Sequence, residues 1–104
     1  MESSIQSIDS ESFTEHVTTT DCLVVFHKKK CPNCKVMVKV VEKCIAADPD
    51  FPAALIDSEE NAALAEELEV TRVPSLLVYK SGELKVSKSG ILKPAEVQNL
   101  FLQA

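Results

Sequence analysis

The stretch CLVVFHKKKCPNCK, residues 22 to 35, constrains the fold more tightly than any other part of the chain. CLVVFH is a continuous apolar run bounded by polar residues, the pattern of a strand covered on both faces. Pro32 sits where a first helical turn would begin, a position proline tolerates because the N–H it lacks is unpaired there in any case. From Pro32 to Ala47 the run VMVKVV is rich in β-branched residues, yet Lys35, Lys39, Glu42 and Lys43 recur at helical spacing. Length and Pro32 favour a helix, with Val36, Met37, Val40, Val41, Cys44 and Ile45 facing the core. A covered strand running through a short turn into a helix opens a crossover between parallel strands.

The remaining elements follow from periodicity and punctuation. Phe13 and Val17, with Ser12 and Glu15 at capping-box spacing, predict a short helix over residues 10 to 18. AALID (53 to 57) reads as a second buried strand, and SEENAALAEEL (58 to 68) as a helix with Ser58 near its cap. Asp57 ends its strand in a place to cap that helix. VTRVP is a loop, SLLVYK (75 to 80) and ELKVSKS (83 to 89) form an antiparallel hairpin about Ser81-Gly82, and Pro94 opens a last amphipathic helix. The predicted order is helix, strand, helix, strand, helix, hairpin, helix. It defines an α/β fold with a central mixed β-sheet flanked by helices on both faces. Residues 1–104 are expected to form a single domain, and a monomer.

A net charge of −5 gives no reason to expect nucleic-acid binding, so the lysines at 28 to 30 are a local feature. The start, MESSIQSIDSES, has no basic flank or apolar run of the kind a secretory signal needs. No stretch approaches the roughly 20 apolar residues of a membrane span. The expected location is the cytoplasm, away from membranes.

Four cysteines, Cys22, Cys31, Cys34 and Cys44, could form two disulfides in a secreted mini-protein, but this core is too large to need such staples. In a reducing compartment a lone Cys-x-x-Cys is more often catalytic or metal-binding. Structural zinc usually pairs one such motif with a second or with two histidines, and Cys22, Cys44 and His27 lack that arrangement; no metal is expected. At a helix N-terminus, unpaired N–H groups and the positive end of the dipole stabilise a thiolate on Cys31. Cys34, one turn on, comes close enough to bond with it, so the pair can cycle between dithiol and disulfide. Cys31 then attacks a substrate disulfide as the nucleophile, and Cys34 resolves the mixed disulfide. Cys22 and Cys44 fall at apolar positions and read as core packing.

Over nearly its whole length the chain resembles the thioredoxin family. The residues that carry the resemblance are LVVF, CPNC with Lys35 after it, LID, VTRVPSLLVYKSGEL and the glycine of SGI. The resemblance implies a thioredoxin fold and a protein-disulfide reductase acting on disulfide-containing proteins. A thioredoxin-reductase-type flavoenzyme would be the electron donor, and no bound cofactor is required. It also implies a cis bond before Pro74, and a substrate groove in which the backbone of Val73 pairs with an extended substrate segment.

The active-site turn departs from the family pattern Trp-Cys-Gly-Pro-Cys. Lys30 stands for the tryptophan, and Pro32 and Asn33 form the dipeptide, with Pro32 placed as in the glutaredoxin motif Cys-Pro-Tyr-Cys. The family's buried aspartate and its lysine partner are matched by Val25 and Ala53. Losing both together avoids an unpaired buried charge, and without the carboxylate the thiols should ionise more readily. His27, two residues beyond Val25 on the same strand face, is the candidate for proton transfer at Cys34. Lys28, Lys29 and Lys30 each push Cys31 modestly toward thiolate and form a basic rim suited to acidic partners. Two other readings keep the fold without this chemistry: a non-catalytic binding module that uses the Pro74 groove, and a thiol metal-binding protein.

Overall fold

A computed structural model describes residues 5–104. Five strands, β1 (Gln6–Ile8), β2 (Cys22–His27), β3 (Ala53–Asp57), β4 (Ser75–Lys80) and β5 (Glu83–Ser89), form one sheet in the order β1-β3-β2-β4-β5. β3 runs parallel to both β1 and β2, whereas β4 is antiparallel to β2 and to β5. The sheet is mixed, as expected, and β2 lies at its centre.

Residues Cys22 to Phe26 are entirely shielded from solvent because both faces of β2 are covered. Leu23 and Val25 pack with Met37, Val41 and Cys44 of α2 (Pro32–Ala47) and Val97 of α4 (Pro94–Gln103). Val24 and Phe26 point the other way, into a second cluster with Phe13 and Val17 of α1 (Ser10–Thr19) and Ala65 of α3 (Ala62–Glu67). The two clusters are the two faces of one strand, separated by the period-2 alternation of its side chains.

The buried stripe of α2 is Cys34, Met37, Val41 and Cys44. Val40 and Ile45 pack partly against the core as expected, but Val36 is 46% exposed and does not belong to it. At about 100° per residue, Val36 is rotated a quarter turn or more off the line through Met37 and Val41. Cys22 and Cys44 are buried packing residues, and the Cys44 thiol donates to the Pro94 carbonyl at 3.4 Å, tying α2 to the start of α4.

Three local expectations are corrected. The first is β1, which pairs with β3 through its backbone and buries only Ile8, so no apolar run announces it. The second is the cap of α1, which is Asp9: its Oδ1 accepts from the Ser12 N–H at 3.0 Å and the Ser12 hydroxyl oxygen accepts from the Asp9 N–H at 3.1 Å. Ser12 is therefore the third helical residue and closes the capping box, and Glu15 takes no part in it. The third is α3, whose N-cap is Asn61 and not Ser58. Asp57 Oδ1 accepts from the N–H groups of Glu59 and Glu60 at 2.8 and 3.1 Å, holding residues 58 to 61 in a turn and delaying the helix. Asn61 Oδ1 in turn accepts from the Ser10 N–H and hydroxyl at 2.8 and 2.7 Å, joining the starts of α1 and α3.

Burial pushes the Asp57 carboxyl up, but the Glu60 and Glu59 amides, His27 and Lys29 outweigh it and hold it below the ordinary carboxylate value. A depressed folded-state pKa adds stability above the unfolded value of about 4 that is lost as pH falls through the folded value. Replacing Asp57 by Ala should cost about 1 kcal/mol at neutral pH, the usual net worth of a side-chain hydrogen bond to backbone amides. The advantage of the wild type over Asp57→Asn, measured by chemical denaturation, should shrink between pH 5 and pH 3.

Candidate redox site

β2 ends at His27, and Lys28 to Lys30 turn the chain into α2. Cys31 is the N-cap of α2, with extended backbone (φ −130°), and its sulfur accepts from the Cys34 N–H at 3.2 Å. The thiol thus occupies the place usually taken by a serine or aspartate oxygen, satisfying one of the amides a helix start leaves unpaired. The Cys31 carbonyl closes the first turn by accepting from the Lys35 N–H at 3.1 Å. Pro32 is the first helical residue, as its sequence position predicts.

The two thiols differ in surroundings. Cys31 is partly open to solvent, while Cys34 is 1% exposed and belongs to the buried stripe of α2. The Cys34 side chain hydrogen-bonds to Cys31 and is the main influence lowering its pKa. Burial opposes this, and the Cys34 and Asn33 amides and the Lys28 charge add to the lowering, so Cys31 lies below an ordinary thiol. Cys34 moves the opposite way. Burial first, then its bond to Cys31, push it up to about 11, and the Lys28 amide and charge only partly offset the rise.

The three lysines therefore do different things. Lys28 acts on both sulfurs. Lys29 forms an ion pair with Glu60 at 3.1 Å, and both partners are well exposed. Lys30 lines the groove that contains Cys31. The sequence expectation treated them alike; the position of Lys28, directly after the strand end, was the signal that could have singled it out.

Two grooves flank the helix start. The larger, about 930 Å³, is lined by Cys31, Pro32, Lys30, Arg72 and Val73 among others, so the nucleophile candidate and the residue before Pro74 share one cleft. The Val73–Pro74 bond is cis, as the resemblance implied. Pro74 is fully buried, and its carbonyl accepts from the Gly90 N–H at 2.9 Å. Gly90 has a φ of +96°, a conformation that favours glycine.

The smaller groove, about 430 Å³, lies on the other side and is shared by His27 and Cys34. His27 stands beside Asp57 in the parallel ladder, at the exposed end of β2. Val25, which the resemblance sets against the family's aspartate, is fully buried with Leu55 and Leu76 as its cross-strand neighbours, and Ala53 lies beside Leu23 in the same core. Hydrocarbon fills the place beneath the thiols.

Because Cys34 is the main stabiliser of the Cys31 thiolate, Cys34→Ala should raise the Cys31 pKa, and Cys34→Ser, which keeps a donor, should raise it less. Thiolate absorbance near 240 nm followed against pH checks the order wild type, Cys34→Ser, Cys34→Ala.

Residues 4–102 match the family model described as Thioredoxin. The chain is 30% identical over 97 residues to the thioredoxin of Chlamydia pneumoniae, covering 93% of this chain and 95% of that protein. The solution structure of reduced desulfothioredoxin from Desulfovibrio vulgaris Hildenborough superposes with a TM-score of 0.85 at 36% identity, covering 99% of this chain and all of the other. Oxidized mitochondrial thioredoxin 3 from Saccharomyces cerevisiae gives a TM-score of 0.85 at 25% identity, with 97% and 96% covered. Fold, site geometry and these likenesses agree: the chain belongs to the thioredoxin family and has, in general terms, that family's thiol-disulfide oxidoreductase role.

Proposed function

We propose that the protein reduces disulfides in other proteins through a cycle of the Cys31–Cys34 pair. The observation that carries this reading is the split between the thiols: Cys31 accessible and shifted toward the thiolate, Cys34 buried and shifted toward the thiol, one helical turn apart.

The Cys31 thiolate attacks one sulfur of a substrate disulfide. A Cys31–substrate disulfide forms, the substrate S–S bond breaks, and the departing sulfur leaves as a thiolate that takes a proton from water. Cys31 has now lost its charge. The two effects it exerted on Cys34, the accepted hydrogen bond and the charge repulsion, disappear together, leaving burial as the main obstacle to ionisation. Cys34 therefore becomes easier to deprotonate at the moment its thiolate is needed. It passes its proton to His27, attacks the Cys31 sulfur, and expels the second substrate sulfur as a thiolate that is protonated in turn. The substrate has gained two electrons and two protons, and Cys31 and Cys34 are joined by a disulfide.

His27 is assigned the proton-accepting role because it shares a groove with Cys34 and because Val25 offers no carboxylate. The backbone of Val73 would hold an extended substrate segment along the Cys31 groove, with Lys30 before the nucleophile and Pro32 and Asn33 in the first turn of α2 after it. A thioredoxin-reductase-type flavoenzyme would return the two electrons.

With a protein disulfide as substrate, Cys31→Ser should reduce turnover to background, whereas Cys34→Ser should accumulate a mixed disulfide visible by non-reducing electrophoresis. Turnover that survives Cys31→Ser would reject the mechanism. In stopped-flow experiments His27→Ala should leave mixed-disulfide formation unchanged and slow its resolution by roughly a hundredfold or more, the scale of general base catalysis; an unchanged resolution rate removes His27 from the mechanism.

A further inference from the structure

Charge is distributed very unevenly over this acidic chain. Six of its eleven Lys and Arg residues, Lys28, Lys29, Lys30, Lys35, Lys39 and Lys43, fall between positions 28 and 43, where Glu42 is the only acidic residue. The fold gathers four of them around the groove beside Cys34, whose lining includes Lys28, Lys29, Lys35 and Lys39 over a partly buried Val38. Lys29 is engaged by Glu60, and Glu42 is half-buried at the far end. Lys28, Lys35 and Lys39 are exposed and have no ion-pair partner among the described residues. The Cys31 groove is different: Glu59, Glu66 and Glu69 line it together with its cations. One side of the redox pair is thus mixed in charge, and the other is basic with an apolar floor.

We propose that the groove beside Cys34 docks a carboxylate-rich segment of the partner protein, adjacent to the disulfide that the Cys31 groove receives. The proposal rests on the exchange reading above and adds the chemical class of partner. Its warrant is charge complementarity. Lys35 and Lys39 lie one turn apart on α2, about 6 Å along the axis, and Lys28 stands at the entry to the helix, so the ammonium groups match neighbouring carboxylates on a short segment. Val38 gives such a segment an apolar contact. A long polyanion such as a nucleic acid fits less well, because beyond this helix face the chain is strongly acidic and would repel it. Opposite charge around a reactive pair raises the encounter rate and selects among partners, and it is weakened by salt.

The test uses two synthetic peptides with the same internal disulfide, one flanked by glutamates and the other by glutamines. At low ionic strength the acidic peptide should be reduced roughly tenfold faster, the lower end of electrostatic steering, and the difference should largely vanish in high salt. The variant Lys35→Gln/Lys39→Gln should lose this preference and reduce the glutamine peptide at the wild-type rate. Equal rates for the two peptides, or a preference that persists in the variant, would overturn the docking site. Binding is also read without chemistry, by titrating the acidic peptide into Cys31→Ser/Cys34→Ser protein and following amide NMR shifts. Shifts centred on Lys35, Val38 and Lys39 support the docking site even if neither peptide is reduced, an outcome that would instead reject the exchange reading. No shifts there, or tighter binding of a single-stranded RNA oligonucleotide at the same face, would count against an acidic protein partner.

Discussion

The hydrogen bond from the Cys34 amide to the Cys31 sulfur, 3.2 Å at the first turn of α2, is where fold and chemistry meet. A helix start needs an acceptor for its unpaired amides, and here the acceptor is the Cys31 sulfur, the nucleophile of the proposed cycle. The need that ordinarily recruits a serine or aspartate to cap a helix stabilises a thiolate instead. The same turn sets Cys34 on the buried side of the helix, so one local geometry lowers one thiol and raises the other.

That geometry holds because β2 cannot move. It is paired on both edges and covered on both faces, with Cys22 to Phe26 fully buried, and the turn that follows it begins from a fixed point. α2 is held at its other end as well, through Cys44 and the Pro94 carbonyl, and at its middle by Met37, whose sulfur accepts from the Leu92 N–H at 3.4 Å. Val25 and Ala53 fit this arrangement: both lie in the apolar core, which packs beneath the thiols without any charge to compensate.

Most of this was legible in the amino-acid sequence because the informative elements carry strong local signals. CLVVFH, AALID and SLLVYK are apolar runs, Pro32 and Pro94 mark helix starts, and the cysteine spacing falls directly after a covered strand. What escaped depends on tertiary context. β1 is three residues long and held by backbone pairing to β3, which leaves no pattern beyond Ile8 pointing inward. The delayed start of α3 follows from an Asp57 side chain that captures two amides, an outcome indistinguishable in sequence from an ordinary helix cap. Val36 looked like core because it belongs to a β-branched run, yet the rotation of the helix turns it out to solvent. At the site, the placement of Cys31 at the start of α2 and the cis Val73–Pro74 bond were anticipated. The separate fates of three adjacent lysines were not, since Glu60, which takes Lys29, is brought near only by the fold.

The central claim is that one sulfur is the nucleophile because its surroundings differ from those of the other. Alkylating the fully reduced protein at neutral pH with less than one equivalent of iodoacetamide, then locating the label by peptide mass spectrometry, measures that difference directly. The structure predicts label on Cys31, with Cys22, Cys34 and Cys44 left free; label on Cys34, or label shared equally between Cys31 and Cys34, would contradict it.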